Sequence, residues 1–273
     1  MGDRFTGRVP LPISPRWIEA YYADPALYDF HHRNYHADVK YYTDLAATRP
    51  GPLLELGCGS GRLTLPMAAA RGSITAVDLS PGLLDGLRRK LAEGDPDAAA
   101  RVEVIQGDIR SLNLKRKFPT VLLPFNTVMH FYADEDLTQA FACVKRHLAE
   151  GGRFHLDLLN PDLAYLAASG GGRRSRMRLN HPVTGEPLLF SENHYYDAAR
   201  QINYAFHYYR KAGVRGGSGA EEILVLKQRQ FFPREMDQWL VNSGFRVIGK
   251  YGDFSGGPFS GEAEVMVYVC EAG

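Results

Sequence analysis

The segment from Leu53 to Asp78 constrains the fold more than any other part of the chain. It reads LLELGCGSGRLTLPMAAARGSITAVD, in which an apolar run of strand length leads into three alternating glycines, and a second apolar run ends in an acid. Glycines let a turn bring backbone N–H groups close to a ligand at the next helix N-terminus. The segment therefore predicts a strand, a ligand-binding turn, a helix and a second strand.

Through the first 160 residues, apolar runs of strand length alternate with segments of helical period, which predicts a parallel sheet wrapped by helices. Ser60 and Ser80 stand at predicted helix N-caps, and Pro81 at a first helical position. The chain closes with a predicted helix, PREMDQWLVNSG, and two strands, FRVIGKYG and EVMVYVCE. The earlier predicted strands are LLEL (53–56), SITAV (73–77), RVEVIQ (101–106), PTVLLP (119–124) and RFHLDLL (153–159).

After Pro161 the alternation of strand-like and helix-like segments gives way to successive strand-like segments. PLLFSENHYYD, ARQINYAFHYYRK and EEILVLKQRQFF each alternate with the period of a strand, and DAAR and GVRGGSGA separate them as hairpin turns. We therefore predict an antiparallel β insertion. The predicted domains are a helical cap (1–49), a core (50–172 with 231–273) and the insertion (173–230).

Charge and composition limit the partners of the chain. Its 32 basic and 31 acidic residues leave a formal charge of +1, so we expect neither nucleic acid nor a membrane surface as a partner. No apolar run is long enough to span a bilayer, and the start lacks the apolar core of a signal peptide, so we expect a cytoplasmic protein. Cys58, Cys143 and Cys270 form no metal-ligand pattern and are interpreted as packing residues.

The residues around the glycines distinguish between nucleotide classes. Asp78 ends the second strand, where an acid accepts hydrogen bonds from both hydroxyls of a ribose. A nicotinamide or flavin fingerprint reads GxGxxG, whereas Gly57, Gly59 and Gly61 form GxGxG with Glu55 two residues ahead. A carboxylate there repels a pyrophosphate but attracts the ammonium of a methionine moiety. LELGCGSGR, VDLS and QGDIR resemble the class I S-adenosylmethionine-dependent methyltransferases over residues 50–160.

That resemblance implies an α/β, Rossmann-like sheet of seven strands with a reversed final hairpin. It also implies S-adenosyl-L-methionine as cofactor and S-adenosyl-L-homocysteine as product. Asp108 would accept from the adenine amino group and the Ile109 N–H would meet the ring, which Leu79 and Leu83 would sandwich. Both leucines would equally serve as packing residues.

The segment VLLPFNTVMHFYADED, after the fourth predicted strand, resembles its counterpart in small-molecule N- and O-methyltransferases, including glycine and aminosugar N-methyltransferases. The resemblance implies that Phe125 and Asn126 flank the methionine part of the cofactor. His130 would then face the substrate and act as a base or orient the acceptor. The alternative is a structural histidine that bonds to backbone, since methyl transfer depends mainly on alignment.

Aromatic residues dominate the amino-terminal segment WIEAYYADPALYDFHHRNYHADVKYY, which predicts one or two helices. In relatives such a segment caps the cofactor, so Tyr28, Tyr21 or Arg62 would meet the methionine carboxylate, with Tyr28 preferred. Tyr21 is also a candidate for substrate contact. The alternative is that these tyrosines pack against the sheet. The nearby histidines have no acidic partner in a clear metal pattern, and no metal is expected.

The insertion is predicted to recognise the acceptor. Tyr196, Tyr204, Phe206 and Tyr208 are interpreted as an aromatic wall on alternating hairpin positions, which would form a lid over a small-molecule methyl acceptor or a homodimer interface. The arginines at 173, 174, 176 and 178 are interpreted as a solvated loop in preference to a contact for a substrate anion.

Two functions remain open from the sequence. The first is methyl transfer from S-adenosylmethionine to an amine or hydroxyl of a small molecule, by proximity and alignment with base assistance from His130. The second is a protein of the same fold that binds the cofactor but acts as a non-methylating cyclase or binding scaffold. A nicotinamide oxidoreductase is a distant third.

Overall fold

The computed structural model describes residues 9–49, 51–212 and 221–273, except the side chain of Ser175. The chain divides into two compact units. The core unit contains the described residues of His32–Pro161 and Phe231–Gly273, and the β unit contains those of Met1–His31 and Asp162–Gln230. The sequence-based domain boundaries, which keep residues 1–49 together, stay a prediction.

The helices and strands follow in chain order. The described α-helices are α1 (Pro15–Tyr21), α2 (Pro25–His32), α3 (Val39–Thr48), α4 (Thr64–Ala69), α5 (Pro81–Glu93), α6 (Pro96–Ala99), α7 (Asp134–His147), α8 (Leu163–Ala167) and α9 (Pro233–Asn242). A short 3₁₀-helix covers Thr127–His130. The described strands are β1 (Leu53–Leu56), β2 (Ile74–Asp78), β3 (Val102–Gln106), β4 (Phe118–Leu123), β5 (Leu148–Leu159), β6 (Arg174–Asn180), β7 (Pro187–Asp197), β8 (Ile202–Lys211), β9 (Glu222–Arg229), β10 (Phe245–Tyr251) and β11 (Val265–Ala272).

The core unit contains a seven-stranded sheet in the order β10-β11-β5-β4-β1-β2-β3. Strands β1 to β5 pair in parallel, and β11 is antiparallel to both of its neighbours. This topology confirms the predicted Rossmann-like sheet with a reversed final hairpin. Because parallel strands end at one edge, the loops that follow β1 to β5 meet there, and they hold most of the candidate residues.

Two apolar clusters cover the two faces of this sheet. Leu54 and Leu56 pack in one cluster with side chains of α7 and α9, whereas Leu53 packs in the other with side chains of α3 and α4. Since both faces are covered, the central strands read as continuous apolar runs, and β1 is buried along its whole length. The acidic side chain of Glu55 within that strand is therefore energetically costly.

Two of the three predicted helix-start residues are confirmed. Ser80 caps α5 by accepting a hydrogen bond from the Leu83 N–H at 3.3 Å, and Pro81 is the first residue of that helix. Ser60 is not an N-cap, because the glycine turn continues through Gly61 and α4 begins only at Thr64. The prediction that a helix follows the glycine turn was correct, but the turn is longer than predicted.

The β unit contains a four-stranded antiparallel sheet in the order β6-β7-β8-β9. Strands β7, β8 and β9 match the three predicted strands, and DAAR forms the predicted turn between β7 and β8. The predicted turn GVRGGSGA lies outside the described residues. The interpretation of the arginine-rich stretch as a loop was wrong, because Arg174 to Asn180 pairs with β7 as a fourth strand. Pairing with an open strand edge outweighs the weak strand propensity of that stretch.

The aromatic residues of β8 supply core packing in this unit. Tyr204, Phe206 and Tyr208 share one face of the strand, as predicted. Phe206 and Tyr208 are fully buried there, in a cluster that includes Trp17 of α1. At least these two rings therefore contribute to the core of the β unit.

Tyr196 does not belong to the predicted aromatic row. It pairs with Asn203 and therefore points to the opposite face of the sheet, while Tyr195 pairs with Tyr204 and takes its place. A shift of one residue in the register moves every side chain of a strand to the other face. The error arose because the turn between β7 and β8, which sets the register, could not be placed to the residue from the sequence.

Candidate active site

The turn between β1 and α4 depends on its three glycines. Their φ angles are 80° at Gly57, 56° at Gly59 and 88° at Gly61, in a region that other residues rarely adopt. A Cβ on Gly57 would lie 2.4 Å from the Cγ2 of Thr127, and one on Gly61 would lie 2.4 Å from the Cδ1 of Leu87. The turn therefore approaches its neighbours more closely than any side chain would allow.

Asp78 fixes this turn to the end of β2. One carboxylate oxygen accepts the Gly59 N–H at 2.8 Å, and the other accepts the Ser80 N–H at 2.8 Å. Burial raises the pKa of Asp78, and the backbone hydrogen bonds oppose that rise. Each oxygen keeps a second lone pair, so the carboxylate can also accept from two ligand hydroxyls. The next residue, Leu79, is a large apolar side chain that is 60% exposed.

The predicted adenine residues differ in their accessibility. Leu79 is exposed beside Asp78, whereas Leu83 lies on the buried face of α5 and Ile109 lies in the apolar core. Asp108 follows β3 and accepts a 2.6 Å hydrogen bond from the Arg110 guanidinium, which lowers the pKa of that carboxyl. All four follow β2 or β3 in the chain, and their contacts with adenine stay a prediction.

Glu55 is the buried acid of β1. Its side chain accepts a 2.6 Å hydrogen bond from the Thr64 hydroxyl, and the residue is only 1% exposed. Burial raises the pKa of Glu55 to about 8. A cation placed nearby would favour the ionised form, so the environment suits an acid that recognises a positively charged group.

Arg62 lies on the other side of the glycine turn and is held by Asp38. Two guanidinium nitrogens donate to the two carboxylate oxygens of Asp38 at 2.8 and 2.5 Å. The guanidinium also lies 3.9 Å from the centroid of the Phe125 ring, and one of its nitrogens donates to the Tyr35 carbonyl at 3.2 Å. A ligand carboxylate at Arg62 would therefore share the guanidinium with Asp38.

The turn after β4 carries three more candidates. Phe125 and Asn126 both have positive φ, 52° and 64°, which is unusual for two consecutive residues other than glycine. The 3₁₀-helix that follows ends at His130, which is partly buried. The Nδ1 of His130 lies 3.5 Å from the hydroxyl of Tyr132. The edge of the sheet thus gathers these residues with the glycine turn, Glu55 and Asp78.

A family model described as "Methyltransferase domain" matches residues 53–152, the stretch that contains the glycine turn, Asp78, Asp108 and the Phe125–Asn126 turn. This stretch is a methyltransferase domain. The cypemycin N-terminal methyltransferase of a Streptomyces species is 26% identical over 221 residues, which cover 80% of this chain and 82% of that relative.

Two solved methyltransferases share the fold of this chain. The CcbJ methyltransferase from Streptomyces caelestis superimposes with a TM-score of 0.71 at 22% identity, over 87% of this chain and 96% of its own. The glycopeptide N-methyltransferase MtfA, solved in complex with S-adenosyl-L-methionine, gives a TM-score of 0.59 at 23% identity, over 97% and 100% of the two chains.

The remaining candidate site residues belong to the β unit. Tyr21 is buried and packs edge-to-face with Tyr28, with ring centroids 6.1 Å apart. The Tyr196 N–H donates to the Ser169 hydroxyl at 2.8 Å, and the Tyr204 ring stacks on Tyr195. Their contacts with cofactor or substrate stay predictions.

Within residues 9–49, 51–212 and 221–273, no three His, Cys, Asp or Glu side chains gather into a group that could hold a metal ion. Over the same ranges, every helix is too short or too polar to cross a bilayer. The three cysteines are free and buried.

Sequence reasoning missed two residues that organise the site. Asp38 holds Arg62 from 24 positions away, and no local pattern signals such a pair. Asp157 lies at the end of β5 and is 2% exposed. An acid inside the apolar run RFHLDLL was the available signal.

The raised pKa of Glu55 predicts a pH effect on stability. Because its folded-state pKa of about 8 exceeds its ordinary value of 4.5, its stabilising contribution is complete below pH 4.5 and is lost as the pH rises through 8. We expect Glu55→Gln, which keeps an acceptor for Thr64, to gain stability over the wild type by about 1 kcal/mol per pH unit within this window.

Urea unfolding at pH 5 to 8 measures this effect. The difference between Glu55→Gln and the wild type isolates Glu55 from buried histidines such as His155, whose pKa is lowered to about 3 by burial. Glu103→Gln, on the exposed edge, is the control and should give a difference that does not grow over the same range. A flat difference for Glu55→Gln would contradict the proton assignment.

Proposed function

We propose that this methyltransferase transfers the methyl group of S-adenosyl-L-methionine to an amine nitrogen of a small molecule and releases S-adenosyl-L-homocysteine. The observation that carries the proposal is the half-buried carboxylate of Asp78, held by the N–H groups of Gly59 and Ser80 beside the exposed Leu79. The choice of an amine is supported by the names of two similar proteins, an N-terminal methyltransferase and a glycopeptide N-methyltransferase.

The residues of the sheet edge fit each part of this cofactor. Asp78 has lone pairs for the ribose hydroxyls, and Leu79 offers an apolar surface for the adenine ring. Glu55 is placed to attract the ammonium group, and Arg62 is the candidate for the carboxylate. These assignments are part of the proposal.

The sulfonium of the cofactor supplies an activated methyl group. The chain therefore has to align the acceptor and to keep its nitrogen unprotonated. We assign the second task to His130, whose ring nitrogens can take a proton from the incoming ammonium group or orient the neutral amine. A hydroxyl acceptor would depend on that base more strongly, because an alcohol is the poorer nucleophile.

Matched acceptors test the proposed function. Purified protein and S-adenosylmethionine are incubated with an aminosugar and its hydroxyl analogue, and with a peptide that carries a free or an acetylated N-terminus. Formation of S-adenosylhomocysteine and of a methylated product with the amines alone supports the proposal. Methylation of the hydroxyl analogues would overturn the choice of nitrogen. Cofactor binding without any methylated product would favour the non-methylating alternative.

Asp78→Ala is expected to weaken binding of S-adenosylhomocysteine by about 1.5 to 3 kcal/mol, the scale of lost charge-assisted hydrogen bonds. The change also removes the acceptor that holds the Gly59 N–H. Isothermal titration measures the affinity. Asp85→Ala, which removes an exposed carboxylate from α5, is the control and should bind like the wild type. Unchanged affinity in Asp78→Ala would exclude Asp78 from the site.

A further inference from the structure

The turn formed by Phe125 and Asn126 has an unusual backbone conformation that needs stabilising contacts. Phe125 at φ 52° is strained by about 1 to 3 kcal/mol, whereas Asn126 at φ 64° is of a residue type that tolerates this region. Such a conformation persists only where surrounding contacts determine it. This turn follows β4 at the sheet edge, where the proposed function places the methionine part of the cofactor.

The end of β5 provides those contacts. The Phe125 N–H donates to both carboxylate oxygens of Asp157 at 3.0 Å each. The Asn126 N–H donates to the Asp157 carbonyl at 3.2 Å, and the Asn126 side-chain oxygen accepts the Leu159 N–H at 2.8 Å. Both residues of the turn are thus hydrogen-bonded to β5, and Asp157 accepts most of these hydrogen bonds.

A carboxyl group at residue 157 is energetically unfavourable because it is buried. It is 2% exposed, and burial raises its pKa to about 7. The Tyr42 hydroxyl of α3 donates to the same carboxylate. The ionisable groups that face this carboxyl from the surrounding elements are Tyr35, Asp38, Tyr41, Tyr42 and Arg62. Burying an ionised carboxyl costs free energy, so the hydrogen bonds that it accepts have to offset that cost.

We propose that Asp157 is a positioning residue of the methyltransferase, whose carboxylate holds the Phe125–Asn126 turn in the shape that receives the cofactor. This inference rests on the proposed function for its effect on the cofactor. Its effect on the turn is independent of that function and can be measured in the unliganded protein.

Three variants separate the positioning role from simple stabilisation. Asp157→Ala removes the acceptor, Asp157→Asn keeps one acceptor oxygen without a charge, and Tyr42→Phe removes a donor to the carboxylate but leaves the Phe125 bond. Amide hydrogen exchange in the unliganded protein reports on the turn. We expect Asp157→Ala to lower protection of the Phe125 and Asn126 amides about tenfold or more, while the amides of β1 stay protected. Asp157→Asn should restore most of the protection that Asp157→Ala loses. Tyr42→Phe should lower the protection of these amides less than about threefold.

Cofactor affinity provides the second readout. We expect Asp157→Ala to weaken binding of S-adenosylhomocysteine about tenfold or more and Asp157→Asn to recover most of it. Wild-type protection of Phe125 should fall slightly as the pH drops from 8 to 6, because a protonated carboxyl keeps one good acceptor oxygen, and that of Asp157→Asn should stay constant. Unchanged protection and affinity in Asp157→Ala overturn the proposal. If that variant does not fold, a pH dependence retained in Asp157→Asn overturns it. If the wild type binds no cofactor, the proposed function fails and hydrogen exchange still decides the role of Asp157.

Discussion

Gly59→Val is expected to abolish binding of S-adenosylhomocysteine while most of the fold remains. At φ 56° a β-branched side chain is strained, so the turn must move, and the N–H that Asp78 accepts moves with it. The added side chain would also stand where the backbone must approach the ligand. Isothermal titration should show no heat of binding at concentrations that saturate the wild type.

Gly151→Val is the matched control for backbone strain. Gly151 lies in the same unit at φ 69°, and a Cβ there would meet no atom within 4 Å. This variant should lose a similar amount of stability, about 1 to 3 kcal/mol, and still bind the cofactor product. If Gly59→Val binds as the wild type does, the cofactor does not lie at the glycine turn. If both variants lose binding, the loss reflects stability alone.

His130→Ala is expected to lower turnover about 10²- to 10⁴-fold, with cofactor affinity nearly unchanged. This range is typical of a lost general base. If alignment alone drives methyl transfer, the same change should cost less than about tenfold. Single-turnover rates at saturating cofactor measure the chemical step, and thermal unfolding of the same samples shows whether the histidine is structural.

Two variants provide the comparison for His130. Tyr132→Phe removes the hydroxyl that lies 3.5 Å from the imidazole without removing the ring nitrogens, and it should change the rate far less. His147→Ala removes a fully buried histidine that accepts the Leu114 N–H at 2.9 Å, and it should lower the melting temperature. A stable His130→Ala protein with a near wild-type rate would exclude the catalytic assignment.

The strands of the core unit were predictable because their sequences obey one rule. Buried parallel strands read as short apolar runs, so LLEL and its neighbours could be placed to within a residue or two. The seven-stranded order came from the resemblance, since periodicity alone does not say which strands pair. The glycine turn was also predictable, because only glycine accommodates its φ angles and close contacts.

Other features depend on contacts that no local pattern encodes. Phenylalanine at positive φ contradicts its own preference, and the carboxylate that accepts the Phe125 N–H comes from Asp157, 32 positions away. The arginine-rich β6 becomes a strand because β7 offers it an edge. Tyr196 faces away from the aromatic row because of the turn that precedes β8.

The order of the strands in the core sheet determines when that sheet can be completed during synthesis. Strand β11 lies between β5 and β10, so Val265 pairs with Leu159 and Cys270 pairs with Phe154, although residues 160 to 264 separate the two strands in the chain. While the ribosome produces residues 160 to 264, the newly made β5 has an open edge of unpaired backbone groups. The last strand of the chain closes that edge, so premature release of a truncated chain would leave an aggregation-prone half-sheet.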